Sequence, residues 1–132
     1  MSPRTIDELL AAARAGLDRL TPEQAQAAAR DGAVLLDIRS EVARERDGLI
    51  PGAAFHRRSV LEWRLDPASG YSDPALADPG LHVILVCEEG YSSSLAAATL
   101  QELGFTRATD LIGGFEAWRD AGLPIEPGRP TR

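Results

Sequence analysis

The chain alternates short apolar runs with segments of helical periodicity, and this alternation limits the folds open to it. Four runs have the length of β-strands: 33–38, 53–55, 82–87 and 109–112. The predicted helices occupy 5–19, a segment from Thr21-Pro22 to Gly32, 59–65, 92–103 and 115–120. A capping box of Thr21 with Gln24 is expected to start the second helix, and Gly104 to end the fourth. The highly charged residues 39–48 are expected to form a solvated loop or a short helix. Strands that alternate with helices favour an α/β fold, with a mostly parallel sheet flanked by helices on both faces.

Charge and cysteine content exclude several classes of protein. Fourteen basic against twenty acidic residues leave a net charge of −6, which argues against nucleic acid or anionic membrane partners. No apolar run approaches the ~20 residues that span a bilayer, and the polar, acidic N-terminus predicts a cytoplasmic protein. One cysteine allows no internal disulfide, and the two histidines, His56 and His82, are too few and too scattered for a zinc site.

Cys87 ends the clearest predicted strand, residues 82–87. In open α/β folds, ligands bind at the carboxyl ends of strands. The turn after Cys87 runs into a helix, so backbone N–H groups and the helix dipole favour an anion or a thiolate there. Gly90 permits dihedral angles that a side chain would forbid, and Ser92, Ser93 and Ser94 are candidate helix caps and hydroxyl donors. We therefore interpret Cys87 as a nucleophile rather than as a small buried apolar residue.

Four segments, taken together, resemble rhodanese domains. Residues 87–93 (CEEGYSS) resemble the family's active-site loop, and residues 36–39 (LDIR) its early Asp-x-Arg segment. Residues 48–53 (GLIPGA) resemble its Gly-His-Ile-Pro-Gly-Ala segment, with Leu49 in place of histidine. Residues 113–118 (GGFEAW) resemble its closing Gly-Gly-x-x-x-Trp segment. The four occur in the family's order.

The resemblance implies a doubly wound, five-stranded rhodanese fold and a sulfurtransferase. Residues 21–126 would form this domain, after an N-terminal helical extension (1–20) and before a flexible tail (127–132). Cys87 would take a sulfane sulfur from a small donor or a protein persulfide and pass it, as a persulfide, to a thiol or other nucleophilic acceptor. No metal or organic cofactor is implied, and the oligomeric state is not indicated.

The resemblance also suggests roles for the residues around Cys87. The substrate-binding residues would be Glu88, Glu89, Gly90, Tyr91, Ser92, Ser93 and Arg58. Arg58 is the preferred choice among three arginines in its region because its neighbours begin a predicted short helix, and His56 and Trp63 are candidate pocket residues. Asp37 and Arg39 are expected to hold neighbouring loops in place.

Glu88 and Glu89 are the discordant feature of the loop. Two carboxylates beside a thiolate disfavour its charged form and repel a dianion such as thiosulfate. We therefore expect a less charged donor or a protein persulfide.

Two alternative functions are weighed against sulfur transfer. A phosphatase or arsenate reductase typically has an arginine six positions after its cysteine, where this chain has Ser93. A weakly active rhodanese-like module for sulfur relay, sensing or partner binding is the second alternative, since the acidic loop suits weak catalysis. A sulfur adduct on Cys87 distinguishes transfer from binding alone.

Overall fold

A computed structural model describes residues 2–128. Six α-helices span Ile6–Ala15 (α1), Pro22–Arg30 (α2), Glu41–Asp47 (α3), Leu61–Leu65 (α4), Ser92–Glu102 (α5) and Gly114–Asp120 (α6). Four strands span Val34–Asp37 (β1), Ala54–Phe55 (β2), Val83–Val86 (β3) and Thr109–Asp110 (β4), and a 3-10 turn at Arg58–Val60 precedes α4. The α/β class predicted from the alternation is confirmed.

The strands form one parallel sheet in the order β2-β1-β3-β4. Asp37 pairs with Phe55 and with Val86, while Leu85 pairs with Asp110. This register brings the carboxyl ends of the strands to one edge, where Cys87 directly follows β3.

Neighbouring strand residues point to opposite faces of the sheet, and each face has its own core. Leu36, Leu85 and Cys87 pack with residues of α4 and α5. Leu35 and Ile84 pack on the other face with residues of α2 and α6. A strand covered on both faces is apolar throughout, which is why β1 and β3 are the clearest strands in the sequence.

Within residues 2–128 the sheet has four strands, whereas five were predicted. Leu20 makes a single parallel bridge to Leu111 beyond β4, through N–H and C=O bonds to Asp110 and Ile112. It does not extend into a strand, because Thr21 and Pro22 begin α2 immediately afterwards with the predicted capping box to Gln24.

Arg39, the first residue of the charged segment after β1, departs from its predicted solvated environment. We expected residues 39–48 to form a solvated loop or short helix. The helix α3 forms, but Arg39 is only 3% exposed, because Asp37 and the Gly48 carbonyl oxygen bind its guanidinium.

The predicted N-terminal extension carries α1, which packs against α5. The helix ends at Ala15, short of the predicted residue 19, with Gly16 as its C-cap. Of the predicted flexible tail, residues 129–132 lie outside the described residues. Within residues 2–128, no helix combines the length and apolarity needed to cross a membrane.

Candidate active site

Cys87 lies at the carboxyl edge of the sheet and is almost enclosed, with 6% of its surface exposed. The Gly90 backbone N–H donates to the Cys87 Sγ atom at 3.1 Å, and Sγ lies 3.1 Å from the Ser93 hydroxyl oxygen. An amide and a hydroxyl therefore fix the sulfur atom from two directions. Both groups can donate to a negatively charged sulfur.

The loop that presents Cys87 is held from the far side by α6. The backbone N–H groups of Phe115 and Glu116 donate to the carbonyl oxygens of Cys87 and Glu88, at 2.8 and 3.1 Å. Gly90 has a φ of +86°, and a Cβ atom there would lie 2.7 Å from the Gly113 nitrogen. Only glycine combines that dihedral angle with so close an approach, so the geometry supports the reason predicted for Gly90.

Behind the sulfur, two serines converge on one buried carboxylate. Ser93 and Ser94 donate to the same Asp110 oxygen, Oδ2, at 2.7 and 2.8 Å, and all three residues are fully buried. The expectation that these serines cap α5 is wrong: Tyr91 is the N-cap and no side chain caps it. Their hydroxyls bind Asp110 instead, because this buried carboxylate requires donors.

Two arginines from the N-terminal part of the chain complete this network. Arg19 binds both Asp110 oxygens, at 2.8 and 3.2 Å, and thereby compensates the buried charge. Arg14 and Arg19 both donate to the Gly90 carbonyl oxygen, at 2.7 and 3.1 Å, and Arg14 also donates to Ser94. The N-terminal segment thus holds the loop whose opposite face presents the Gly90 amide to Cys87.

The two glutamates of the loop occupy different environments. Glu89 is exposed, whereas Glu88 is partly buried, with its Oε2 atom 3.8 Å from a guanidinium nitrogen of Arg39. Burial raises the pKa of Glu88; Arg39 opposes this shift, and nearby Asp47 adds to it. A hydrogen bond from Arg46 lowers the pKa of Asp47 to about 2. The pKa values of Glu88 and Asp47 are therefore shifted in opposite directions, and of these two carboxyl groups Glu88 more readily accepts a proton.

Asp37 and Arg39 connect the loops around the site. Arg39 binds Asp37 and the Gly48 carbonyl oxygen, and its guanidinium carbon lies 3.8 Å from the centre of the Phe115 ring. Arg44 also binds Asp37, at 3.2 Å. These contacts link β1, α3 and α6, which agrees with the structural role expected for Asp37 and Arg39.

The remaining predicted loop residues form the exposed rim. Tyr91 and Ser92 are exposed, and the Arg14 guanidinium carbon lies 5.7 Å from the centre of the Tyr91 ring. Glu89, Tyr91 and Ser92 can therefore meet an incoming molecule, while Gly90 and Ser93 act from within the protein. Substrate binding by these residues stays a prediction.

Arg58 and its neighbours lie on a separate part of the same edge. Arg58 donates to the Glu62 carboxylate at 2.9 Å, so its guanidinium is paired within its own segment. The candidate pocket residues His56 and Trp63 line a cavity of about 500 Å³ whose lining does not include Cys87. His56 lies 2.8 Å from the Asp73 carboxylate and lowers the pKa of Asp73 through this hydrogen bond.

The sequence interpretation missed Arg14, Arg19 and Asp110. Asp110 carried a usable signal, since an acid within a predicted buried strand requires donors from elsewhere. The arginines carried none, because their partners lie 71 to 91 residues away along the chain. Among residues 2–128, no group of three or more His, Cys, Asp or Glu side chains is arranged to hold a metal ion.

The arrangement lacks the phosphate clamp of a cysteine phosphatase. Ser93 stands at the position where such a loop carries arginine, and it is turned inward to Asp110. Arg14 and Arg19 are near, but both bind the Gly90 carbonyl oxygen on the outer side of the loop. Their guanidinium groups are thus engaged with protein acceptors rather than presented beside the sulfur.

Comparisons with known proteins give one consistent family. The sequence model of the Rhodanese-like domain matches residues 21–121. A "Thiosulfate sulfurtransferase GlpE" from Pseudomonas syringae is 35% identical over 101 residues, which are 76% of this chain and 86% of that protein.

Solved structures share the fold. A protein of unknown function from Rhodopseudomonas palustris, described as a possible tyrosine phosphatase, has a TM-score of 0.86 at 38% identity, over 96% of this chain and 97% of that one. The polysulfide-sulfur transferase of Wolinella succinogenes has a TM-score of 0.69 at 25% identity, over 92% of this chain and 86% of that one. The family match covers the sheet, the Cys87 loop and α6. The chain belongs to the rhodanese-like domain family, and it is a rhodanese-type sulfurtransferase.

Proposed function

We propose that the protein transfers a sulfane sulfur from a donor to a nucleophilic acceptor through a persulfide on Cys87. In the first step, the Cys87 thiolate attacks the outer sulfur of the donor. A new S–S bond forms while the bond from that sulfur to the rest of the donor breaks, and the electron pair leaves with the departing group. In the second step, an acceptor thiolate attacks the outer sulfur, and the electron pair of the S–S bond returns to Cys87.

The surroundings of the sulfur atom carry this proposal. Cys87 follows β3 at the carboxyl edge, and Gly90 N–H and the Ser93 hydroxyl lie within hydrogen-bond distance of Sγ. Donors fixed at the atom where charge appears and disappears stabilise both displacement steps without rearrangement. Since the thiol must be free, we also propose that the reaction occurs in the cytoplasm, where cysteines are kept reduced.

We further propose a less charged donor than thiosulfate, or a protein persulfide, as the preferred donor, although the related GlpE proteins are named for thiosulfate. Glu89 is the exposed carboxylate of the loop, and Glu88 has a raised pKa and Arg39 beside it. Glu89 is therefore the main charge that a thiosulfate dianion meets. The repulsion between the two charges of thiosulfate and the one charge of Glu89, several ångströms apart in water, costs roughly 1 kcal/mol. Salt reduces this cost.

Intact-protein mass spectrometry tests the persulfide directly. After exposure to polysulfide or thiosulfate, the wild-type chain should gain one sulfur atom that dithiothreitol removes, and Cys87→Ser should gain none. No adduct from either donor would refute the mechanism and favour the alternative of a binding module.

Steady-state kinetics test the donor preference. We expect Glu89→Gln to lower the KM for thiosulfate by about two- to fivefold at low ionic strength, and to leave the KM for a donor with a single charge, the persulfide of 2-mercaptoethanol, less affected. Glu102→Gln is the matched control, because Glu102 is exposed at the far end of α5. Equal effects of the two substitutions would contradict the role given to Glu89.

A further inference from the structure

A continuous hydrogen-bonded path leads from the Cys87 sulfur into the protein. Sγ lies 3.1 Å from the Ser93 oxygen, which lies 2.7 Å from Asp110 Oδ2. Asp110 also accepts bonds from Ser94 and from two nitrogens of Arg19. Ser93, Ser94 and Asp110 are completely buried, so solvent does not supply alternative partners.

The number of hydrogen atoms on this path restricts what Ser93 can do. A serine hydroxyl carries a single hydrogen. While Cys87 is a thiol, its S–H points to the Ser93 oxygen and the Ser93 hydrogen points to Asp110. Once the sulfur is a thiolate, Ser93 can rotate its hydrogen toward Sγ. Asp110 tolerates this change because Ser94 and Arg19 continue to donate to it.

We infer that Ser93 is a second catalytic residue, whose hydroxyl stabilises negative charge on the Cys87 sulfur, and that Asp110 is the positioning residue that holds this hydroxyl. The inference rests on the proposed persulfide function. During sulfur release, the acceptor forms a bond to the outer sulfur, the S–S bond breaks, and its electron pair returns to Sγ. The Ser93 hydrogen stays on its own oxygen and forms a hydrogen bond to the Cys87 thiolate, so this step involves no proton transfer from Ser93.

Ser94 provides a control within the same helix. It is as buried as Ser93 and donates to the same oxygen of Asp110 at nearly the same distance. Of the two serines, Ser93 is the one bonded to Sγ. Ser94→Ala therefore removes the bonds of Ser94 to Asp110, Arg14 and the Gly90 carbonyl oxygen, but no donor to sulfur. Ser93→Ala removes a bond to Asp110 together with the donor to sulfur.

The test is the release of sulfur from preloaded protein to cyanide, followed in a single turnover as thiocyanate. We expect Ser93→Ala to lower the limiting rate at saturating cyanide by about 10- to 100-fold, at or below the lower end of the range for loss of one donor to a developing anion. The half-saturating cyanide concentration should change by less than about twofold, and Ser94→Ala should be at least about tenfold faster than Ser93→Ala. Equal rates for the two alanine variants would overturn the inference.

A second pair of variants separates the hydroxyl from the fold. Ser93→Thr and Ser93→Val have the same shape and differ in the hydroxyl group alone, so any packing strain is common to both. We expect the threonine variant to release sulfur at least about tenfold faster than the valine variant, and equal rates overturn the role of the hydroxyl even if Ser93→Ala does not fold. Wild-type protein that never gains sulfur refutes the persulfide function itself. Wild-type protein that loads, combined with variants that release normally, refutes the role of Ser93 alone.

Discussion

Gly114 lies where α6 meets the Cys87 loop, and its replacement by alanine tests how closely the two must approach. Gly114 has a φ of +64°. A Cβ atom there would lie 2.5 Å from the Cys87 carbonyl oxygen and 2.7 Å from the carbonyl carbon and oxygen of Glu88. These neighbours are backbone atoms, so a change of side-chain rotamer does not relieve the overlap. We expect Gly114→Ala to push α6 away from the loop.

Two separate contributions make up the loss of stability that we expect for Gly114→Ala. A left-handed conformation costs a non-glycine residue roughly 1–2 kcal/mol. Separation of α6 from the loop also weakens the bonds from the Phe115 and Glu116 amides to the Cys87 and Glu88 carbonyl oxygens, each worth about 0.5–1.5 kcal/mol net. The free energy of unfolding should therefore fall by about 2–5 kcal/mol.

Gly122→Ala separates these contributions. Gly122 has a φ of +74°, similar to that of Gly114, but a Cβ atom there would meet nothing within 4 Å. Its replacement should cost only the dihedral contribution, roughly 1–2 kcal/mol.

Urea unfolding measures both variants, and alkylation of native protein by iodoacetamide reports the exposure of Cys87. We expect faster alkylation in Gly114→Ala alone. Equal losses of stability in the two variants, or unchanged alkylation in Gly114→Ala, would refute the close-approach argument.

Two further predictions concern charges around the loop. Burial raises the pKa of Glu88 above its ordinary 4.5. The charged form of Glu88 should therefore lower the free energy of unfolding as the pH rises from about 4.5 through the pKa of the folded state, and this loss should persist at higher pH. Urea unfolding at pH 4, 5.5 and 7 measures this loss. The free energy of unfolding should decline less with pH in Glu88→Gln than in the wild type or in Glu89→Gln, the control at an exposed position. An equal decline in all three proteins would argue against burial as the cause. Arg14→Ala removes bonds to Gly90 and Ser94, so we expect a loss of about 1–3 kcal/mol and faster alkylation of Cys87. Arg4→Ala, at an exposed position, should change neither the stability nor the alkylation rate. If Arg14→Ala also left both unchanged, α1 would not hold the loop.

Features that depend on neighbours in the sequence were predictable. The apolar run of β3, the Thr21–Gln24 capping box and the end of α5 near Gly104 depend on periodicity, capping and glycine conformation. Each of these features involves residues only a few positions apart, so both partners of each interaction can be read from one short stretch of the sequence. The position of Cys87 at the end of β3 follows from the same local evidence.

The charged residues show where local evidence ends. Arg39 belongs to a segment whose composition predicts solvent exposure, yet it is buried because Asp37 and the Gly48 carbonyl oxygen bind it. Ser93 had the expected position beside Cys87, but its burial and its bond to Asp110 follow from the packing of α5 on the sheet.

The sequence by itself determined an α/β chain with a cysteine at a strand end, in a loop that resembles those of rhodanese domains. The tertiary structure decided what surrounds that cysteine. The parallel register of β3 and β4 places Asp110 behind Ser93, and the packing of α1 on α5 brings Arg14 to Gly90. The physical reason is distance along the chain. The hydroxyl beside the sulfur, the carboxylate that binds this hydroxyl and the two guanidinium groups that hold the loop come together only after the sheet and helices have assembled.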